Sequence, residues 1–315
     1  MQFFYGLPKK SDRKPCALAI GNFDGVHLGH QKLLHKVVEL AKQKQLVPAV
    51  LTFEPHPKEF FGKSPDKAPA RILSLRDKVE TICRFGIQRI YILRFNEQLA
   101  SLSPKAFAES ILADGLEAKS IVIGENFHFG FRGEGDVQSL ISFGKSMGFD
   151  VTPLQMADLG GIPVSSTRIR LALEKGNLDD VAKMLGRPYV ITGKVRKGKQ
   201  LGRTIGFPTI NQRILPPCSK ARPALRGVYA VKVFGVGKDA LPGVACVGRR
   251  PTVTDNGEYL LETYIFNFHG DLYGKELTVE FLHKIRDEKK FSSIEQLKSA
   301  IHADMEAAEL FFRQH

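Results

Sequence analysis

From residue 15 to about residue 155, short β-rich runs alternate with helical stretches. The runs CALAIG (16–21), VPAVLTF (47–53), RIYILRF (89–95) and SIVIG (120–124) read as strands; QKLLHKVVELAKQ (31–43), residues 75–85 and residues 104–113 read as helices. That rhythm predicts βαβ units and a parallel sheet covered by helices on both faces. Such sheets hold ligands at the carboxyl ends of their strands. Two further helical stretches, 166–174 and 178–185, close this half before Gly186-Arg187-Pro188 interrupts the pattern. The expected domains are therefore residues 1–185 and 186–315.

After Pro188 the pattern shifts to strand-like runs, PYVITGKV, GVYAVKVF, GVACVG, YLLETYIFNF and ELTVEFL, separated by Gly, Pro, Asp and Asn. Short strands joined by turn residues predict a small antiparallel barrel or sandwich. One amphipathic helix from about Ser293 onward is expected to pack over it.

Length agrees with two domains, since 315 residues exceed the roughly 100 to 200 that one domain usually holds. A hydrophobic content of 43% with 25% charged residues is ordinary for a folded soluble protein, and no run suits a membrane helix. The opening MQFFYGLPKKSDRKP lacks an apolar core followed by a small-residue cleavage site, so no secretory signal is expected and the expected compartment is the cytoplasm. Cys16, Cys83, Cys218 and Cys246 are scattered without a CxxC pair, which fits buried reduced thiols rather than a disulfide frame or a zinc site. Lys plus Arg outnumber Asp plus Glu by 46 to 33, a surplus that favours polyanionic partners. Nucleotide phosphates satisfy it as well as nucleic acid does. No basic strip interleaved with aromatic residues is present, so nucleic acid is not an expected partner.

The densest chemical signal is Gly21-Asn22-Phe23-Asp24-Gly25-Val26-His27-Leu28-Gly29-His30, after a predicted strand and at the start of a predicted helix. Glycines let the backbone approach a ligand, and the free amides and dipole at a helix start favour an anion. His27 and His30, three residues apart, can share a helix face and donate to one triphosphate, where their charge stabilises a pentavalent phosphorus and a departing pyrophosphate. Zinc binding by His27, His30 and His35 lacks the spacing of four and the intervening acid of a HEXXH helix.

This GxFDGxHxGH string resembles the HxGH nucleotidylyltransferases, and specifically the bacterial bifunctional riboflavin kinase/FAD synthetase family. Thr52-Phe53-Glu54-Pro55-His56-Pro57, Gly124-Glu125-Asn126-Phe127-His128-Phe129-Gly130 and Val164-Ser165-Ser166-Thr167-Arg168-Ile169-Arg170 resemble further motifs of that family, in its order. Pro55 and Pro57 stiffen a loop that can hold His56 against a ligand. Phe127 and Phe129 alternate sides, and at least one is expected in the core. Ser166 and Thr167 stand where a helix begins, with Arg170 one turn on. The resemblance implies ATP contacts at Gly21, Phe23, Asp24, Gly25, His27, His30, Asn126, Ser166, Thr167 and Arg170. Of these it makes His27, His30 and Arg170 catalytic, and it puts flavin at Pro55, His56 and Phe127. The FMN phosphate is itself the nucleophile.

Residues 193–211, GKVRKGKQLGRTIGFPTIN, are rich in glycine and cations but lack the GK[ST] ending of a Walker loop. The run resembles the flavokinase signature, a glycine-rich flap followed by PTAN, with Ile210 in place of the usual Ala. Thr209 and Asn211 fall on one side of an extended strand and offer the oxygen ligands that magnesium accepts. The resemblance gives them the metal bound to ATP. It makes Glu262, in an otherwise apolar strand, the base that deprotonates the riboflavin 5′-hydroxyl. Gly198, Arg203, Asn211 and Tyr273 become nucleotide contacts and Arg286 a flavin contact. For the whole chain the resemblance implies an α/β Rossmann-like nucleotidylyltransferase domain with a parallel sheet, then a small antiparallel β-barrel flavokinase domain with a C-terminal helix. The implied chemistry is phosphorylation of riboflavin to FMN and adenylylation of FMN to FAD. Both steps use ATP and Mg2+, and both flavins are products, not prosthetic groups.

Overall fold

A computed structural model of the chain describes all residues except 63–67, 199–201, 203–205, 217–220 and 251–257. The chain divides into two compact units, Met1–Pro69 with Lys78–Ser165, and Ala70–Asp77 with Ser166–His315. The helices Ser166–Lys175 and Leu178–Leu185 form where the sequence places them, and their packing groups them with the second unit.

The first unit is built on six parallel strands, β1 (Gln2–Tyr5), β2 (Cys16–Ile20), β3 (Val47–Glu54), β4 (Arg89–Arg94), β5 (Ala118–Gly124) and β6 (Asp150–Leu154), in the order β1-β4-β3-β2-β5-β6. β2 is buried at every residue, as a strand covered on both faces must be. From β2 to β3 the chain steps one way along the sheet; from β4 to β5 and on to β6 it steps the other way. Right-handed crossovers then place α1 (Leu28–Lys44) on one face, and the helices Phe107–Ala113 and Val137–Met147 on the other. On the latter face Leu18, Ile20, Ile121, Leu112 and Leu140 join one core. The direction reverses between β2 and β5, so their carboxyl ends form the crevice where sheets of this kind bind ligands.

The structure departs from the sequence reading at several elements. Strand β1, at the sheet edge, and strand β6 with its preceding helix Val137–Met147 were not expected. The stretch expected as one helix over 104–113 is an α-turn at Pro104–Ala106 that continues as a π-helix over Phe107–Ala113.

A short antiparallel ribbon, β7 (Asp158–Leu159) with β8 (Ile162–Pro163), follows β6. In the second unit, β9 (Val190–Arg196), β10 (Ile210–Arg213), β11 (Gly227–Phe234), β12 (Leu241–Arg250), β13 (Glu258–Ile265) and β14 (Glu276–Arg286) close an antiparallel barrel in the order β10-β13-β12-β11-β14-β9. The final ladder, β9 with β10, completes the ring, which decides barrel over sandwich. Tyr229, Val247, Leu261 and Gln212 are fully buried, and Gln212 Nε2 donates to the carbonyls of Gly193 and Leu277, each at 2.8 Å. Val228, Ala230, Val244 and Phe266 instead pack with Ala308 of the C-terminal helix Ile294–Gln314, which therefore covers one outer wall of the barrel.

Candidate functional site

At the carboxyl end of β2 the chain makes a tight loop before α1. Phe23 and Val26 are fully buried with φ of 49° and 44°, and Gly25 has φ 90°. His27 is the N-cap of α1, with extended backbone, and its Nδ1 accepts from the backbone N–H of His30 at 3.4 Å. The pair thus does not share a helix face, as the spacing suggested. Instead the two rings stack, centroids 3.7 Å apart, with Phe23 on His30 at 5.1 Å. Gly29 makes the stack possible, since a Cβ there would lie 3.1 Å from His27 Cε1 and 3.0 Å from Met156 Cε.

Burial, the His27 ring and the Lys78 ammonium, in that order, hold the His30 pKa well below 6.5. His30 is therefore neutral at pH 7 in the free protein. His30 Nδ1 and Asn22 Oδ1 are buried without a hydrogen-bond partner among the described residues. Unsatisfied polar atoms at the switch point of a parallel sheet are what a ligand would satisfy. Lys78, on the helix Leu75–Cys83, is buried and donates to Asn22 O and Thr52 Oγ1, each at 3.2 Å, tying the ends of β2 and β3 together.

The loops after β3 and β5 flank this centre. His56 caps the short helix Pro57–Phe61, its Nδ1 accepting from Lys58 N–H at 3.1 Å, so the cap as well as the prolines fixes it. Asn126 is exposed, and its carbonyl lies 3.1 Å from His128 Nδ1. Phe127 is half-buried and stacks on Phe129 at 5.6 Å; Phe129 is the core residue of the two. Adjacent strands β3, β2 and β5 thus set Pro55, His56, Gly21, Phe23, Asp24, Gly25, His27, His30, Asn126 and Phe127 along one edge of the sheet. Ser166, Thr167 and Arg170 open the helix Ser166–Lys175 in the second unit, where Arg170 Nε donates to Ala70 O at 2.6 Å.

The second unit contains a cavity of about 460 Å³ under the C-terminal helix. One rung of the barrel builds its floor. Asn211 pairs with Glu262, Glu262 with Cys246, Cys246 with Val228, and Val228 with Arg286, each directly across from the next. Residues opposite one another share a face of the sheet, and all five line the cavity. Thr209 and Tyr273 line it too.

Two glycines of the 193–211 run, Gly198 and Gly202, meet this floor. A Cβ on Gly198 would lie 2.9 Å from Asn211 Oδ1, and one on Gly202 would lie 3.3 Å from Thr209 Oγ1. Asn211 is buried, its Nδ2 donates to Thr209 O at 3.4 Å, and its Oδ1 has no hydrogen-bond partner among the described residues. Tyr273 N–H donates to Asp271 Oδ1 at 2.8 Å, and Lys197 Nζ stands 5.7 Å from the Tyr273 ring centroid. Desolvation first, then Glu262, pushes the Cys246 thiol up to about 12. Arg203 lies outside the described residues.

Against known proteins, the FAD synthetase family model matches residues 9–168 and the riboflavin kinase model residues 185–312. The bifunctional riboflavin kinase/FMN adenylyltransferase of Pseudomonas fluorescens is 42% identical over 309 residues, covering 98% of this chain and 97% of that one. That of Escherichia coli K12 is 40% identical over 303 residues, 96% and 95% covered.

This chain belongs to the bifunctional riboflavin kinase/FMN adenylyltransferase family.

A solved structure described as a macrolide-efflux protein from Streptococcus pneumoniae shares the architecture, with a TM-score of 0.75, 30% identity and 98% of each chain covered. Among the described residues of the present family member, no helix is long and apolar enough to cross a membrane.

Three contributors escaped the sequence reading. Lys78 reads in the sequence as one more helical residue, and nothing local signals that it reaches the ends of two strands. Cys246 joins the rung only through register. Asp304 did leave a signal: it sits at 7 residues from Leu297 and 3 from Ile301, inside the apolar stripe of the last helix, where a carboxylate must find a partner. Its partner is Arg286, with Nε to Oδ1 and Nη2 to Oδ2 both 2.7 Å.

Proposed function

We propose that this family member phosphorylates riboflavin to FMN in the barrel unit, releasing ADP, and adenylylates FMN to FAD with the HxGH centre, releasing pyrophosphate. The observation that carries the reading is the rung that sets Asn211, Glu262 and Arg286 on the floor of one cavity. In the kinase step Glu262 accepts the proton of the riboflavin 5′-hydroxyl as its oxygen attacks the γ-phosphorus of ATP. Gly198, Arg203, Asn211 and Tyr273 hold the nucleotide, and Arg286 contacts the flavin.

A magnesium ion, which takes few protein oxygens and keeps several waters, would neutralise the phosphates in this step. Thr209 and Asn211 would hold it. The Asn211 Oδ1 atom supports that assignment, because this buried carbonyl lacks, among the described residues, the partner a hard cation would supply.

In the adenylyl step the FMN phosphate attacks the α-phosphorus of ATP and pyrophosphate leaves, with no side chain as nucleophile. Gly21, Phe23, Asp24 and Gly25 shape the phosphate loop, and His27 and His30 donate to the phosphates. His30 enters neutral; the anionic triphosphate raises its pKa, so its charge arrives with the substrate. Asn126 contacts ATP, while Pro55, His56 and Phe127 contact flavin. Ser166, Thr167 and Arg170 keep the phosphate role that their motif implies.

Chemistry on this reading divides at residues 1–185 and 186–315, in line with the two family matches, although the helices at 166–185 pack with the barrel. The cytoplasm supplies ATP and riboflavin, and the phosphates of ATP, FMN and FAD, not nucleic acid, meet the basic surplus. Incubation with riboflavin, ATP and Mg2+, followed by chromatography, tests both steps. FMN accumulating before FAD is the expected result; FMN alone would refute the first-unit assignment, and no flavin product would refute both.

A further inference from the structure

The C-terminal helix is more than a cover for the barrel. Its inward stripe, Leu297, Ile301, Asp304, Met305 and Ala308, is apolar except for Asp304, which is only 5% exposed. Both carboxylate oxygens of Asp304 accept from Arg286, whose Nη1 also donates to Asp287 O at 3.0 Å. The guanidinium lies 5.6 Å from the Phe291 ring centroid. Among the described residues, three of the five guanidinium N–H donors are thus engaged by protein and two remain.

Docking a helix on a barrel does not need this arrangement. A buried ion pair recovers in Coulomb energy little more than its desolvation cost, and apolar side chains of similar volume hold such an interface as well or better. What the pair does supply is direction: two parallel charge-assisted bonds fix the plane of a planar, otherwise flexible group. That group is the last member of the rung that carries Glu262 and Asn211.

We propose that Asp304 is a positioning residue of the kinase site, fixing Arg286 so that its two remaining donors face the carbonyl oxygens of a flat heteroaromatic acceptor substrate. The proposal rests on the reading of this cavity as the riboflavin-phosphorylating site. It places the specificity for the acceptor partly on the last helix of the chain, some forty residues beyond the base in sequence.

The test is steady-state kinetics of the full chain carrying Asp304→Asn, which keeps the shape and removes the charge. KM for riboflavin should rise on the order of tenfold while KM for ATP stays put, since one charged hydrogen-bonding partner is lost on the acceptor side only. Titration of riboflavin alone should show the same loss of affinity, and Asp304→Glu should recover part of it. FAD formation from added FMN, measured in the same samples, should be unchanged. If Asp304→Asn does not fold, Asp304→Glu alone should show a smaller rise of the same selectivity. A lower melting temperature with unchanged KM for riboflavin, or equal rises for riboflavin and ATP, would overturn the proposal. A wild-type chain that makes no FMN would overturn the kinase reading itself, and the proposal with it.

Discussion

Asn211 on β10 and Glu262 on β13 stand directly opposite each other, and both face the cavity beneath the C-terminal helix. Register alone puts a carboxylate beside a carboxamide, because side chains of an opposed pair leave the sheet on the same side. A slip of one residue in either strand would turn that strand's side chain into the barrel interior.

Glu262→Gln should therefore lower FMN formation by roughly 10² to 10⁴, the range that a positioned base contributes. FAD formation from supplied FMN should continue at the wild-type rate. Chromatographic separation of the flavins reads both, and an equal loss of the two activities would rule out separate sites.

His30→Ala should act in reverse, lowering FAD formation by roughly 10² to 10³ while FMN formation persists. His30 also sets a pH dependence of stability. Its folded pKa lies below 6.5, so the unfolded chain binds that proton first, and stability is lost as pH falls below about 6.5. The variant should lose less stability than wild type between neutral and mildly acidic pH. In NMR titrations the His30 pKa should rise when ATP is added; a constant value would exclude the phosphate contact.

Gly198→Ala tests the flap. Gly198 has an ordinary φ, so the added methyl matters through space: it would press on the Asn211 amide at about the distances that Cβ atoms never adopt. KM for ATP in the kinase reaction should increase, with adenylylation of FMN untouched. Unaltered kinase kinetics would mean that the flap does not seat on Asn211 during turnover.

Two thiols should be inert until the protein unfolds. Burial is the largest cause that lifts Cys16 and Cys246 from an ordinary 9.0 to about 12. At pH 8 the thiolate fraction falls by about a thousandfold, and alkylation with iodoacetamide should slow to match. The unfolded chain loses these protons first, so the stability they contribute is full below about pH 9 and drains as pH rises toward 12. Peptide mapping after timed alkylation, with and without denaturant, gives the comparison; fast labelling of native Cys246 would show that the cavity is far wetter.

The buried strands 16–20, 47–54, 89–94 and 118–124 were legible because a parallel strand covered on both faces leaves a continuous apolar run. Edge strands β1 and β6 were not, since one edge of each meets solvent and their composition stays mixed. The π-helix at Phe107–Ala113 escaped for another reason: it carries the same residues as an α-helix and differs only in hydrogen-bond register.

By itself the sequence determined the parallel sheet and the strand-rich second half, and it displays the local motifs of both candidate centres, because periodicity, glycine and local motifs are properties of neighbouring positions. Tertiary structure alone decided the rest. It stacked His27 on His30 rather than aligning them on a helix, placed Lys78 at the ends of two strands, and closed the barrel so that residues 211, 228, 246, 262 and 286 share one rung. Those relationships depend on strand order and register, which are fixed only when distant segments pack, and no local pattern encodes a partner far along the chain.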